Sequence, residues 1–389
     1  MFDISAIIRP NILTLEPYRC ARDDFKTGIL LDANENTHGP ALPSPDANEA
    51  ALELNRYPDP HQHELKQQII QFREQHPNKY ATEKLSIENL CLGVGSDESI
   101  DMLLRCVCVP GKDKMLICPP TYGMYSICAT VNDVAIEKVP LTIPDFQIDI
   151  DGILTKVKSD PTIKLLYLTS PGNPTGKLID VEDIIKLLKE LLKAWQGLIV
   201  VDEAYIDFTK PGSSMSTLVN QYPNLVVLQT LSKSFGLAGI RLGITFSSKQ
   251  LSWYLNAMKY PYNISSLTSN VAIKATNEGL GVMENYVSKI VEQRELVLEK
   301  LLSLKYVERN IGGLDSNFIL IEILDKDGKP SNDVAKKLYN TLATDNSVVV
   351  RYRGSELNCV GGLRISIGTS EENKLMLTKF ESVLNEINK

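Results

Sequence analysis

Leu225-Val226-Val227-Leu228-Gln229-Thr230-Leu231-Ser232-Lys233-Ser234-Phe235-Gly236-Leu237-Ala238-Gly239-Ile240-Arg241 is an apolar run that dissolves into small residues around one lysine. Leu225 to Thr230 reads as a strand, Lys233 falls just past its end, and another strand is expected from Arg241 to Phe246. An isolated lysine is ordinarily a solvated surface residue. Solubility alone does not ask for small and apolar neighbours followed by glycines. Upstream, Ile163 to Leu168 leads into Ser170-Pro171-Gly172-Asn173-Pro174-Thr175-Gly176, and Leu198 to Val201 leads into Asp202-Glu203-Ala204-Tyr205. Pro and Gly by themselves make a turn, and acids at strand ends are common. A carboxylate at that position is nevertheless costly unless a cation pairs with it. Taken jointly and in this order, three strand ends offer an amide, an acid, an amine and a cationic site sized for phosphate.

Working outward, short aliphatic runs alternate with helical patterns from about Leu90 to Phe246. The expected strands are Leu90 to Val94, Lys114 to Cys118, Val134 to Val139, Lys164 to Thr169, Leu198 to Val201, Leu225 to Thr230 and Arg241 to Phe246. The clearest helix is Val181 to Trp195, with Asp180 as N-cap. This alternation predicts an α/β fold with a mostly parallel sheet flanked by helices, with ligands at the carboxyl ends of the strands. After Pro261 the pattern changes to a long helix from about Val282 to Leu304, strands at Asn317 to Ile323, Val348 to Arg351 and Leu363 to Ile367, and a last helix opened by the capping box Thr369-Ser370-Glu371-Glu372. The expected division is an N-terminal arm at 1–45, a large domain at 46–281 and a smaller α/β C-terminal domain at 282–389. The arm, turn-rich around Asn34 to Pro40, reads as a segment that packs on something else, across a domain or subunit boundary.

At 389 residues with a net charge of -7, the chain has ordinary globular composition and no basic excess for a polyanionic partner. No apolar run approaches the roughly 18 residues needed to span a bilayer. Asp3, Glu16, Asp23 and Asp24 fit neither a secretion signal nor a transit peptide, so a cytoplasmic protein is expected. Seven cysteines without a Cys-x-x-Cys pair read as reduced, mostly buried hydrophobes. His61-Gln62-His63 lacks an evident third ligand and reads as a solvated turn, so no metal is expected. Gly95-Ser96-Asp97-Glu98, ahead of the helical pattern Ile100 to Val107, is either an ordinary N-cap or an anion site at a helix N-terminus.

Asn173-Pro174-Thr175-Gly176, Asp202 with Tyr205, and Ser232-Lys233 with Arg241 downstream resemble the marks of the fold-type I pyridoxal-phosphate aminotransferase family. Leu15 to Tyr18, Leu31 to Asn36, Arg56-Tyr57-Pro58, Gly95 to Glu98, Pro119 to Tyr125 and Gly362 to Ile365 are similar to its histidinol-phosphate aminotransferase branch, nearest the fungal members, across nearly the whole chain. Gly172, where many bacterial relatives have asparagine, is a departure. The resemblance implies that Lys233 anchors pyridoxal 5'-phosphate and serves as acid and base, that Asp202 pairs with the ring nitrogen, and that Asn173 and Tyr205 bond the ring oxygen. It implies Tyr122 stacked on the ring, and Ser96, Asp97, Thr230, Ser232 and Arg241 around the phosphate. Tyr57 is implied to reach the neighbouring subunit's cofactor in a homodimer. Tyr18, Asn34, Tyr57, Asn317, Arg351 and Arg364 are implied substrate contacts for histidinol phosphate and for glutamate or 2-oxoglutarate. Arg353 is the alternative to Arg351, and only the motif match favours Arg351. An aromatic aminotransferase or a phosphothreonine decarboxylase of the same fold is the nearest rival reading, and a non-catalytic ligand sensor a more distant one.

Overall fold

All seven apolar runs before Pro261 become strands of one sheet in the computed structural model, which describes residues 2–24, 27, 29, 31–42 and 51–389. They are β1 (Leu90–Val94), β2 (Lys114–Ile117), β3 (Ala135–Lys138), β4 (Ile163–Thr169), β5 (Leu198–Asp202), β6 (Leu225–Thr230) and β7 (Leu242–Ser247), in the order β1-β7-β6-β5-β4-β2-β3. Pairings from β6 through β5, β4 and β2 to β3 are parallel, whereas β7 is antiparallel to both neighbours. Strands β5 and β6 are buried at every position, which is why they read as unbroken apolar runs. Successive side chains still serve opposite faces. Leu166, Leu168, Ile199 and Val201 join one core layer, while Leu165, Tyr167, Leu198 and Val200 join the other.

Helices cover both faces for legible reasons. In Val181–Ala194 the Asp180 side chain accepts from the Glu182 N–H, and Ile184, Ile185, Leu187, Leu188 and Leu191 form the buried stripe. Each such side chain, fully buried, contributes about 1.5–3 kcal/mol. The helix stops one residue before the expected end because Trp195 turns extended and its Nε1 donates to the Ile163 carbonyl at 2.8 Å.

The second sheet has four antiparallel strands, β8 (Val307–Asn310), β9 (Phe318–Ile323), β10 (Arg351–Tyr352) and β11 (Gly362–Ser366), in the order β10-β11-β9-β8. Helices Leu280–Leu302, Asn332–Asp345 and Ser370–Ile387 close its core around Ile319, Ile321, Leu338, Leu363 and Phe380. The expected capping box holds: Thr369 and Glu372 bond one another's backbone N–H groups. Strand β8 was not among the expected strands, because its alternation is half exposed. The two sheets meet at the 173–176 turn, where Gly313 N donates to the Thr175 carbonyl and Asp315 N to the Gly176 carbonyl. Gly176 has φ +62°, and a Cβ there would meet Ser316 and the Gly313 carbonyl.

The first residues of the N-terminus pack on their own chain. Ile4, Ile7, Ile8 and Ile12 are buried with Ile100, Leu103 and Cys106 of the same chain, and Arg9 N donates to the Cys106 carbonyl. Farther on, Arg22 and Arg56 both bind Glu35, which ties residues near the middle of the arm to the 56–57 segment. The expected 45/46 boundary lies outside the described residues. Among the described residues no helix is long and apolar enough to cross a membrane.

Candidate active site

Strand polarity places the site. The carboxyl ends of β1, β4, β5 and β6 point the same way, and antiparallel β7 begins where they end. Thr169 lies opposite Asp202, Thr230 opposite Gly243, and Val94 opposite Leu242. A cavity of about 260 Å³ opens there. Its walls include Ser96, Asp97, Tyr122, Asn173, Asp202, Tyr205, Thr230, Ser232, Lys233, Arg241 and Arg364, all of them expected from the sequence.

Asp202 is buried, and its bonds come from neutral donors: Tyr125 Oη at 2.7 Å and Ala204 N at 3.2 Å. Burial raises its pKa, while those two donors act in the opposite sense. Lys233 is half-buried with Nζ 5.6 Å from the Tyr205 ring centre. Burial lowers its pKa first, and the Arg364 and Arg241 charges lower it further. A depressed amine is a better nucleophile and proton acceptor near neutral pH. Tyr205 is buried edge-on against Phe318, and burial raises its phenol pKa, keeping it a donor. Asn173 Oδ1 accepts from Arg364 Nη1 at 2.5 Å, which leaves the amide N–H₂ as the group free to donate.

On the opposite wall, helix Ser96–Val107 starts beside Gly95, whose φ is +79°. A Cβ on Gly95 would strike the Arg241 guanidinium, so the glycine makes room for that cation at the helix N-terminus. Arg241 itself has φ +53°, which is why β7 begins one residue later than expected. Thr230 Oγ1 and Ser232 Oγ lie 2.8 Å apart on the same side, and Tyr122 Oη donates to Asp97 Oδ1 at 3.2 Å.

The family described as aminotransferase class I and II matches residues 26–380. Over 388 residues, all of both chains, the sequence is 85% identical to the histidinol-phosphate aminotransferase of Candida maltosa. The chain belongs to the histidinol-phosphate aminotransferases. The Saccharomyces cerevisiae histidinol-phosphate aminotransferase is 51% identical over 395 residues, covering 100% of this chain and 99% of that one. The solved Sinorhizobium meliloti histidinol-phosphate aminotransferase, in complex with pyridoxal-5'-phosphate, superposes with a TM-score of 0.75 at 22% identity, over 91% of this chain and 90% of that one. That likeness bears on the fold.

For a histidinol-phosphate aminotransferase the cavity walls fit pyridoxal phosphate chemically. Among the described residues the buried Asp202 carboxylate has no ion-pair partner, a place that a protonated ring nitrogen would fill, the Lys233 amine suits an aldehyde, and the helix N-terminus with Arg241, Thr230 and Ser232 suits a phosphate.

Other residues fall elsewhere. Tyr18 and Tyr57 line a separate cavity of about 970 Å³, packed on Tyr262 with ring centres 5.5 and 4.6 Å away. Asn34 is exposed at φ +55°, and the Asn317 carbonyl accepts from Ile367 N. Arg351 is exposed and lies directly opposite Arg364 in the β10–β11 register, whereas Arg353 lines the Lys233 cavity. The sequence reading missed Tyr125, whose Oη bridges Thr169 Oγ1 and Asp202 Oδ2. The tyrosine stands in the Pro119 to Tyr125 stretch, but no local pattern signals a partner across the fold. Rather than a plain turn, the 61–63 segment opens helix His63–Glu74, and His61 Nε2 lies 2.8 Å from Asp23.

Proposed function

We propose that this chain transfers an amino group between L-histidinol phosphate and 2-oxoglutarate, forming imidazole acetol phosphate and L-glutamate in histidine biosynthesis. The observation that carries the reading is one depressed amine and one buried acid in a single cavity topped by arginines. Bound pyridoxal phosphate supplies the aldehyde that carries the amino group and a ring that accepts electrons. Lys233 Nζ holds the cofactor and moves the proton to and from the amino-bearing carbon of the substrate. Asp202, oriented by Tyr125 and the Ala204 N–H, keeps a proton on the ring nitrogen. Asn173 and Tyr205 donate to the ring oxygen, and Tyr122 flanks the ring. The Ser96 and Asp97 N–H groups, Thr230, Ser232 and Arg241 hold the phosphate. Arg364, with Arg351 or Arg353, binds the substrate anions through a planar donor fork, and Tyr18, Asn34 and Asn317 are lesser contacts.

A homodimer accounts for Tyr57, 53% exposed and outside its own chain's Lys233 cavity. In this reading each Tyr57 reaches the partner's cofactor phosphate, the chain is cytoplasmic, and the domains divide near 45 and 281. Mixing Lys233→Ala with Tyr57→Ala subunits then restores a working site that neither variant has alone. The function is tested by incubating the protein with histidinol phosphate and 2-oxoglutarate. Glutamate and the keto phosphate are expected without release of carbon dioxide; preference for aromatic amino acids, or decarboxylation of phosphothreonine, contradicts the assignment.

A further inference from the structure

Behind the cavity, the sequence neighbours of its residues point away from it and meet. Glu203 follows Asp202, Gln229 precedes Thr230, and Ser234 follows Lys233; all three are buried and none lines the cavity. Arg73, in the last turn of helix His63–Glu74, joins them. Its Nε donates to Gln229 Oε1 at 2.6 Å, and its Nη1 to Asp207 Oδ1 at 2.5 Å. Asp207 Oδ2 accepts from Ser234 Oγ at 2.5 Å, and Gln229 Nε2 donates to Glu203 Oε2 at 2.7 Å. Glu203 also accepts from Ser214 Oγ and Met215 N, each at 2.6 Å. The Arg73 and Asp207 side chains are only 9 and 10% exposed. The adjoining Phe72 ring meets Phe235, two residues past Lys233, edge-on at 5.4 Å.

The arrangement matters because the Lys233 loop rests on the core through Leu231, Phe235, Leu237 and Ile240, while the residues between the last three turn outward. Gly236, Ala238, Gly239 and Arg241 are exposed, and Gly236 and Arg241 take positive φ. A planar guanidinium with two separate acceptors fixes direction as well as distance, which an ammonium does not. We propose that Arg73 is a positioning residue for amino transfer, fixing the Lys233 loop to the Asp202 strand end through Asp207–Ser234 on one arm and Gln229–Glu203 on the other. This rests on the roles given above to Lys233 and Asp202.

The test compares the full-length, pyridoxal-phosphate-loaded parent with Arg73→Gln, Arg73→Lys and Ser234→Ala. Misplacing an acid/base group by a fraction of an ångström is expected to lower kcat of Arg73→Gln by about 10–100-fold, with KM for glutamate changed by less than about threefold. The pH midpoint of the bound cofactor's visible absorbance moves with it, and Arg73→Lys recovers only part of either effect. A purely stabilising role lowers Tm and moves neither kcat nor that midpoint, and this result overturns the proposal. Should Arg73→Gln fail to fold, Ser234→Ala decides: a drop in kcat of about 3–10-fold at parental Tm is expected, and an unchanged kcat overturns it. If instead Lys233→Ala keeps its turnover with the Arg73 bonds intact, the underlying catalytic reading fails, a separate outcome.

Discussion

The floor and the roof of the cavity are built differently. The floor comes from the large sheet, where Asp202 is buried with two donors, Tyr205 is wedged on Phe318, and Lys233 is backed by buried polar groups. The roof comes from the small sheet's arginines, of which Arg351 is exposed and Arg353 holds Glu356 only loosely at 3.5 Å, its Nε buried without a partner among the described residues. In the proposed reading, the groups assigned to protons and electrons are fixed in advance. Arg351 and Arg353, offered to two differently shaped anions, keep bonding capacity in reserve.

That contrast can be broken by mutation, and floor changes are expected to cost most. Lys233→Ala should lower kcat by roughly 10³-fold or more in a stopped assay for glutamate, since it removes the proposed acid/base group. Asp202→Asn should cost roughly 10²–10³-fold in kcat, as loss of an oriented charge does elsewhere, while the fold stays intact by circular dichroism. Roof changes should fall mainly on KM, with a smaller loss of kcat for Arg364, which also bonds Asn173 and lowers the Lys233 pKa. Arg364→Ala removes a charge-assisted bond worth about 1.5–3 kcal/mol, so KM should rise about 10–100-fold for both histidinol phosphate and 2-oxoglutarate. An effect on neither substrate would remove it from the roof.

The smaller effects sharpen the contrast. Burial pushes the Glu203 carboxyl up to about 7, against hydrogen bonds from Met215, Ser214 and Gln229. A raised folded pKa stabilises the protein below the unfolded carboxyl value near pH 4.3 and loses that contribution as pH rises through about 7. Thermal melts of the parent should therefore weaken between pH 5 and pH 8 by an amount on the order of 1–3 kcal/mol, and Glu203→Gln should flatten the slope. Smallest of all is the choice between Arg351 and Arg353. Arg353→Ala should raise KM for histidinol phosphate more than Arg351→Ala does, by about 3–10-fold, and the reverse order would restore the motif-based choice.

The same divide explains what the sequence made legible. Strands β4 to β6 announce themselves because burial on both faces forces nearly continuous apolar runs, and Asn173, Asp202 and Lys233 stand out because each lies at or just past the carboxyl end of such a run. The choice between Arg351 and Arg353 stayed open apart from the motif match, because β10 is only two residues long and ends before Arg353. Tyr125 on Asp202 and Arg73 on Asp207 join residues 77 and 134 apart in sequence, and no local period encodes such pairs. The burial of the N-terminal isoleucines was not anticipated, although their spacing at 4, 7, 8 and 12 is that of a buried face.

The central claim is that the Lys233 amine forms a bond to the cofactor aldehyde opposite the buried Asp202. Its most direct test is borohydride reduction of the loaded protein followed by peptide mass spectrometry. The account predicts one modified peptide, the one containing Lys233, and none in Lys233→Ala. Modification of another lysine, or none in a protein that still makes glutamate, would contradict it.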